Sequence, residues 1–208
     1  FDRRTGELRW KVPRVSVNVC YSVPCIYTPK GGEAELICTS TGNGMFSLNP
    51  ETGDQNWAVK DAFSMRTVSS PLIVGGLLYG STGSGAGGNY LVGIRPGKNA
   101  GVAVKIDRQA PYVPTSVASG NLMFLWYDKG IVTCIDGRNG NVHWRERLDT
   151  AFLSLPSDEG EQRLRGVDVP AAVVLLPGEV ADSPQFRSRD VFVNFGDHRY
   201  VSQPARLS

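Results

Sequence analysis

The sequence predicts an all-β fold assembled from repeated four-stranded units. Three observations carry that prediction. A turn motif recurs three times, with its tryptophans 47 and 87 residues apart. Between the motifs, short apolar runs recur in the same order. Glycine (24) and proline (13) are also abundant enough across 208 residues to interrupt long helices.

The motif reads Asp2-Arg-Arg-Thr5-Gly6-Glu-Leu-Arg-Trp10, then Asn49-Pro-Glu-Thr52-Gly53-Asp-Gln-Asn-Trp57, then Asp136-Gly-Arg-Asn139-Gly140-Asn-Val-His-Trp144. Asp or Asn at the turn start accepts hydrogen bonds from backbone amides two residues on. Glycine supplies the positive φ of a tight connection. Tryptophan on the following strand is a large flat anchor between neighbouring sheets. The longer interval is close to two periods, so a degenerate copy is expected between. Leu91-Val-Gly-Ile94-Arg95-Pro96-Gly97-Lys98 occupies its place without the Trp.

What precedes each motif repeats too. Pro24-Cys-Ile-Tyr27, Pro71-Leu-Ile-Val74 and Pro114-Thr-Ser-Val117 each open a short strand. Ala34–Cys38, Gly76–Tyr79 and Asn121–Trp126 supply the next. Four short strands per repeat of this length is the signature of a propeller blade. The predicted organisation is residues 1–14 as the outer strand of a preceding blade, then blades at about 20–60, 66–107 and 111–147. The repeats leave helices no place to sit. A propeller closes with roughly four to eight blades, so the chain is expected to be a fragment of a longer ring. Open blade faces are expected to favour self-association.

These residues resemble the PQQ-like (quinoprotein-type) β-propeller repeat over residues 1–147. Ser70-Pro-Leu-Ile-Val74, Gly88-Asn-Tyr-Leu-Val92 and Gly130-Ile-Val-Thr-Cys-Ile-Asp136 are similar to the PQQ-binding-like repeat proteins of planctomycete-type bacteria. The resemblance implies a partial propeller of about three blades. It implies a bacterial, periplasmic or exported scaffold that binds other proteins, the remaining blades of a parent chain, or a ligand. It implies no catalytic residue and no cofactor. An alternative within the resemblance is a quinoprotein dehydrogenase using PQQ with Ca²⁺. Such enzymes carry an adjacent Cys-Cys pair, whereas Cys20, Cys25, Cys38 and Cys134 are all separated here. A sensor propeller of a larger, kinase-linked protein is a further alternative.

Composition narrows the partners. Twenty-two basic and 20 acidic residues leave a net charge of +2, which gives no electrostatic reason to expect nucleic acid or an anionic membrane. No run of 18 apolar residues is available for a transmembrane helix. The chain opens on Phe1 with no visible signal peptide, so export rests on the resemblance alone. Cys38 and Cys134 lie in apolar runs and read as small buried residues. Cys20 and Cys25 match no zinc spacing; an oxidising compartment would permit a disulfide between them.

Few motifs suggest chemistry. Gly83-Ser-Gly85-Ala-Gly-Gly88 matches G-x-G-x-x-G, but a strand-like run follows where a dinucleotide site needs a helix. It reads as an inter-strand loop. His143 lies on an outer strand and His198 in the tail, with no metal-ligand spacing. Trp126, Arg66, Tyr79, Arg95 and Tyr112 are candidates for exposed faces, and loops 80–89 and 95–101 for contacts.

Residues 148–208 change character. They lack Trp, Cys and Lys, and only four glycines remain. The polar run Ser157–Arg163 interrupts any blade pattern. The stretch reads either as a frame-shifted, disordered end or as a diverged partial blade. In the second reading, 191–195 and 198–201 would form a hairpin around Gly196-Asp197. Hydrogen exchange is expected to be faster over 148–208 than over 20–147; uniform protection along the chain would contradict this.

Overall fold

The computed structural model describes residues 1–15, 17–189 and 191–201. The chain divides into two compact units, 1–150 and 151–208. The first holds three antiparallel sheets, each of four strands in chain order. The first blade is β1 (Cys25–Tyr27), β2 (Glu35–Ser40), β3 (Gly44–Leu48) and β4 (Gln55–Val59). The second is β5 (Leu72–Val74), β6 (Leu77–Thr82), β7 (Tyr90–Arg95) and β8 (Gly101–Ile106). The third is β9 (Val117–Ser119), β10 (Leu122–Tyr127), β11 (Ile131–Asp136) and β12 (Val142–Arg147).

Burial follows from stacking. β3, β6 and β11 are buried along their whole length, because both faces of a middle strand are covered. Two apolar layers join the blades. Ile37, Met45 and Trp57 of the first blade pack with Leu78, Val92 and Ile94 of the second. Tyr79, Leu91 and Val104 of the second pack with Met123, Leu125 and Ile135 of the third. The Tyr79 hydroxyl donates to the Gly137 carbonyl at 3.0 Å across the second layer. Burial, and then the nearby Asp136 charge, push the Tyr79 phenol up to about 12.

Each blade repeats one row of cross-strand partners: Ile37–Ser47–Trp57, Tyr79–Gly93–Val104 and Phe124–Cys134–Trp144. The register also shifts at the same place in each, between Ser47 and Leu48, Gly93 and Ile94, and Cys134 and Ile135. A bulge adds local twist and re-aims the side chains beyond it. It sits one step before the turn that precedes each outer strand.

The motif turns superimpose in their hydrogen bonds. The carbonyls of Asp2, Asn49 and Asp136 each accept from the glycine amide four residues on, at 2.8 Å. Oδ1 of Asp2 and Asn49 accepts the amides two and three residues on, and Oδ1 of Asp136 the amide of Arg138. Thr5 and Thr52 Oγ1 and Asn139 Oδ1 accept from the residue after the glycine. Gly6, Gly53, Gly97 and Gly140 have φ of 75°, 81°, 99° and 80°. The degenerate copy has therefore kept the backbone that the motif serves.

The glycine is constrained twice. A Cβ on Gly53 would lie 2.8 Å from the Trp10 ring, and one on Gly140 would lie 2.4 Å from Val104 Cγ1. Residues 7–15 pair with no strand, yet they occupy on the first blade the place that β8 takes on the third. Trp10 Nε1 donates to the Pro50 carbonyl at 2.9 Å, and the Arg14 guanidinium stacks 3.9 Å from the Phe46 ring centroid.

The second unit contains short helices, which the sequence reading did not anticipate. After α1 (Leu148–Leu153), which crosses the boundary, come α2 (Ser157–Arg165), α3 (Pro177–Val180) and α4 (Pro184–Ser188). The polar run is helical because its charges suit a helix. Asp158 and Glu159 lie in the first turn and Arg163 and Arg165 in the last. Glu159–Arg163 and Glu161–Arg165 pair at 2.6 and 3.0 Å. The hairpin forms at the predicted place, with β13 (Phe192–Phe195) and β14 (His198–Val201) joined through Gly196 at φ +62°. It is a two-stranded sheet, not a four-stranded blade. Asp182 joins Arg187 and Arg199 at 2.8 and 3.2 Å. Residues 202–208 lie outside the described residues.

Two substitutions test this account. Gly140→Ala combines the left-handed φ with a side-chain clash, so it should destabilise the first unit by about 2–4 kcal/mol in urea denaturation. Tyr79→Phe leaves the Gly137 carbonyl short of a donor at a blade junction, for a loss of about 1–3 kcal/mol. It should also remove the loss of stability that tyrosine ionisation causes above about pH 10, because the unfolded phenol gives up its proton before the folded one.

Candidate functional site

Antiparallel order sends the connections of each blade to two opposite ends. The motif turns 49–54, 96–100 and 137–141 lie at one end. The loops 83–89 and 128–130, joining the two middle strands, lie at the other. Loops 80–89 and 95–101, both expected to make contacts, therefore belong to opposite ends and cannot form one surface.

The middle-strand loop end carries the candidate site. A groove of about 440 Å³ runs between the second and third blades, lined by Gly87, Gly88, Asn89, Asp107, Arg108, Gln109, Tyr127 and Arg145. A hollow of about 240 Å³ shares Gly87, Asn89 and Tyr127 with it, and adds Tyr112, Asp128 and Lys129. The glycine loop shapes both. Ser84 Oγ donates to the Gly87 carbonyl at 3.1 Å, and Asn89 Oδ1 accepts from the Ser84 amide at 3.1 Å. A Cβ at Gly85 or Gly87 would meet nothing within 4 Å, so this rim is open. A strand, β7, follows the loop, so the helix a dinucleotide site needs is absent from this place.

Gln109 is the unusual residue. Its backbone is left-handed, with φ +54°, which costs a non-glycine residue about 1–2 kcal/mol. Its Oε1 is buried and has no hydrogen-bond donor. Strain of this kind persists only where the surroundings impose it, and it clusters at ligand sites. The charges nearby are uneven. Lys105 pairs with Asp107 at 3.0 Å. Asp128 accepts from the Tyr112 amide at 3.0 Å. Exposed Arg145 donates from Nε to Thr133 Oγ1 at 3.0 Å.

The residues picked out from the sequence are scattered by the fold. Asp2, Thr5, Gly6, Trp10, Asn49, Thr52, Gly53, Trp57, Asp136, Asn139, Gly140 and Trp144 serve turns and blade packing. Trp57 is 7% exposed, and its Nε1 donates to Glu35 Oε2 at 2.7 Å. Trp144 stands at the same row position on the third blade and is 46% exposed, tilted 6.0 Å from Phe124. With Val117, Leu122, Trp126 and Val142 it forms an exposed apolar face. Tyr79 is not on an exposed face. At 1% exposure it belongs to the blade junction, because its row position faces the third blade. Tyr112 borders the hollow; exposed Arg66 does not line it but bridges Gly83 at the start of the glycine loop, and Arg95 is exposed beside the motif-turn end. His143 is exposed on β12, and His198 lies edge-on to Tyr200 at 6.4 Å.

The four cysteines are free thiols. Cys134 is buried as expected; Cys38 is only half-buried, since β2 is less covered than β11. Burial raises the thiols of Cys25, Cys38 and Cys134. Among the described residues, no three His, Cys, Asp or Glu side chains gather as a metal site.

Arg108, Gln109 and Arg145 were missed in the sequence. Arg108 and Gln109 follow a strand as an ordinary polar link, and Arg145 looks like any exposed strand residue. Only the register, which brings β12 and the link after β8 to one loop end, unites them.

Comparison with known proteins finds a family match and similar solved structures. The family described as outer membrane protein assembly factor BamB matches residues 1–101. The repeats of residues 1–101 are PQQ-like. Among solved structures, the crystal structure of BamB from Moraxella catarrhalis is similar, with a TM-score of 0.41 and 20% identity. That match covers 61% of this chain and 37% of the other, so the chain spans little more than a third of that protein. No curated protein matches. Among the described residues, no helix is long and apolar enough to cross a membrane.

The third motif turn gives a pH prediction. Side-chain and backbone hydrogen bonds from Arg138 hold Asp136 down at about 2, below the ordinary 3.8. A depressed carboxyl stabilises the fold above its unfolded pKa, and that contribution is lost as pH falls toward about 2. Asp136→Asn keeps the turn acceptor, as Asn49 does, and removes the charge. Urea midpoints should then fall less between about pH 5 and 2 than in the parent chain; an unchanged acid slope would contradict the assignment.

Proposed function

We propose that this chain is a non-catalytic binding scaffold of the PQQ-like repeat type, whose contact surface is the loop end of the second and third blades. The observation that carries the reading is the groove itself. It combines an open glycine rim, the Tyr127 ring and the strained backbone of Gln109. Rigid sheets hold this constellation, and loops on rigid sheets are where binding surfaces concentrate. The matching family's description, an outer membrane protein assembly factor, supports protein partners and an exported location. In this reading the scaffold needs no cofactor, and the groove contributes hydrogen-bonding and charged groups to a contact.

Site-directed photo-crosslinking tests this. A benzophenone amino acid at Ala86, on the groove rim, should capture a discrete protein in cells of the source organism. The same group at Lys98, at the opposite end, should not. Equal capture from both positions, or none from Ala86, would refute the assignment of the surface. In parallel, titration with PQQ and Ca²⁺ should leave tryptophan fluorescence without a saturable change; saturation at micromolar quinone would replace the scaffold reading with a cofactor-binding one.

A further inference from the structure

Three of the four thiols are shielded and one is not. Burial raises Cys25, Cys38 and Cys134, and a protonated thiol is a poor nucleophile. Cys20 has different surroundings. It is half-buried, between exposed Val19 and Tyr21, in the link that leads to β1. That link is fixed to the segment before β5 at alternate residues. The Tyr21 amide donates to the Thr67 carbonyl at 3.0 Å, and the Val23 amide to Ser70 Oγ at 3.1 Å. Ser22 Oγ also lies 2.6 Å from Thr39 Oγ1. Cys20 is therefore held beside Thr67 rather than carried on a loose loop.

Thr67 is the second observation. It is 0% exposed, and its Oγ1 has no hydrogen-bond partner. An unmet buried hydroxyl carries its desolvation cost with nothing in return. The Thr41 hydroxyl nearby is committed, donating to the Met65 carbonyl at 2.6 Å. The Thr67 hydroxyl and the Thr41 and Thr67 amides face the Cys20 sulfur. A neutral thiol is a weak acceptor, and this one donates to the Asn18 carbonyl at 3.5 Å. A thiolate is a strong acceptor of charge-assisted hydrogen bonds. Ionisation thus gives the sulfur its donors and the Thr67 hydroxyl its missing partner. Burial pushes the Cys20 thiol up, yet these donors outweigh it and leave the group below the ordinary 9.0.

We infer that Cys20 is a modification site: a nucleophilic thiol, its thiolate held by the Thr67 hydroxyl, that forms a mixed disulfide with a low-molecular-weight disulfide. The Cys20 sulfur attacks one sulfur of that disulfide, and the new S–S bond forms as the old one breaks. The departing half leaves as a thiolate and takes up the proton that Cys20 has lost, so no further oxidant enters. The inference concerns the first blade and stands independently of the groove.

The test exposes the folded whole chain to oxidised glutathione at neutral pH and follows each cysteine peptide by mass spectrometry. Cys20 should take up glutathione at least about tenfold faster than Cys25, Cys38 or Cys134. In urea that preference should vanish, because it belongs to the fold. Thr67→Val replaces the hydroxyl by a methyl. It should slow Cys20 about threefold or more, while Tm stays the same or rises. Thr67→Ser keeps the hydroxyl and should keep the rate. A thiol that is merely accessible would react equally in all three folded chains, and that outcome would overturn the inference. So would faster uptake at another cysteine, a preference that persists in urea, a Cys20–Cys25 disulfide in place of the adduct, or no adduct at all.

Discussion

Everything in the first unit depends on the close approach of one blade's outer strand to the next blade's turn. At Gly53 and Gly140 the neighbouring Trp10 and Val104 occupy the volume a Cβ would need. The same glycines hold the positive φ that closes the turn. One residue type therefore meets a local and a long-range demand together. The Asx and Thr side chains around it have a lighter task. They satisfy backbone amides, a role Asp, Asn and Thr share, which is why Asp2 and Asn49 are interchangeable and why Asn139 can stand for Thr52.

This division explains what the sequence disclosed. The blades were legible because their constraints are local and repeated: Asx, then glycine, then tryptophan at fixed offsets. The degenerate copy at Arg95–Lys98 was legible from spacing, and Gly97 retains the turn geometry. Tyr79 misled because an aromatic beside a glycine on a short strand has the same sequence signal whether it faces solvent or a neighbouring blade. Only the row Tyr79–Gly93–Val104 decides that. The helix over Ser157–Arg165 was hidden by its polarity. Its support comes from charge order and side-chain ion pairs, not from an apolar stripe.

The candidate site was far less legible. Its residues come from two strands, a link and two loops separated by as many as 58 positions between Gly87 and Arg145. None belongs to a motif, because nothing in blade formation requires them. The glycine loop did stand out, though for an unrelated pattern. What gives it meaning is the hydrogen bonding of Ser84, Gly87 and Asn89, which shapes a rim rather than a phosphate cradle.

The two ends of each sheet therefore face different evolutionary freedom. At the motif end, the turns at Gly53 and Gly140 are locked to the neighbouring element, so an inserted residue there would disturb a blade junction as well as a loop. At the other end, the segment from Gly83 to Asn89 makes its own internal bonds, and a Cβ on Gly85 or Gly87 would touch nothing. Length and chemistry can change there without altering how the blades stack. A lineage that carries these repeats can acquire new recognition by rewriting one rim, while the opposite rim preserves the architecture.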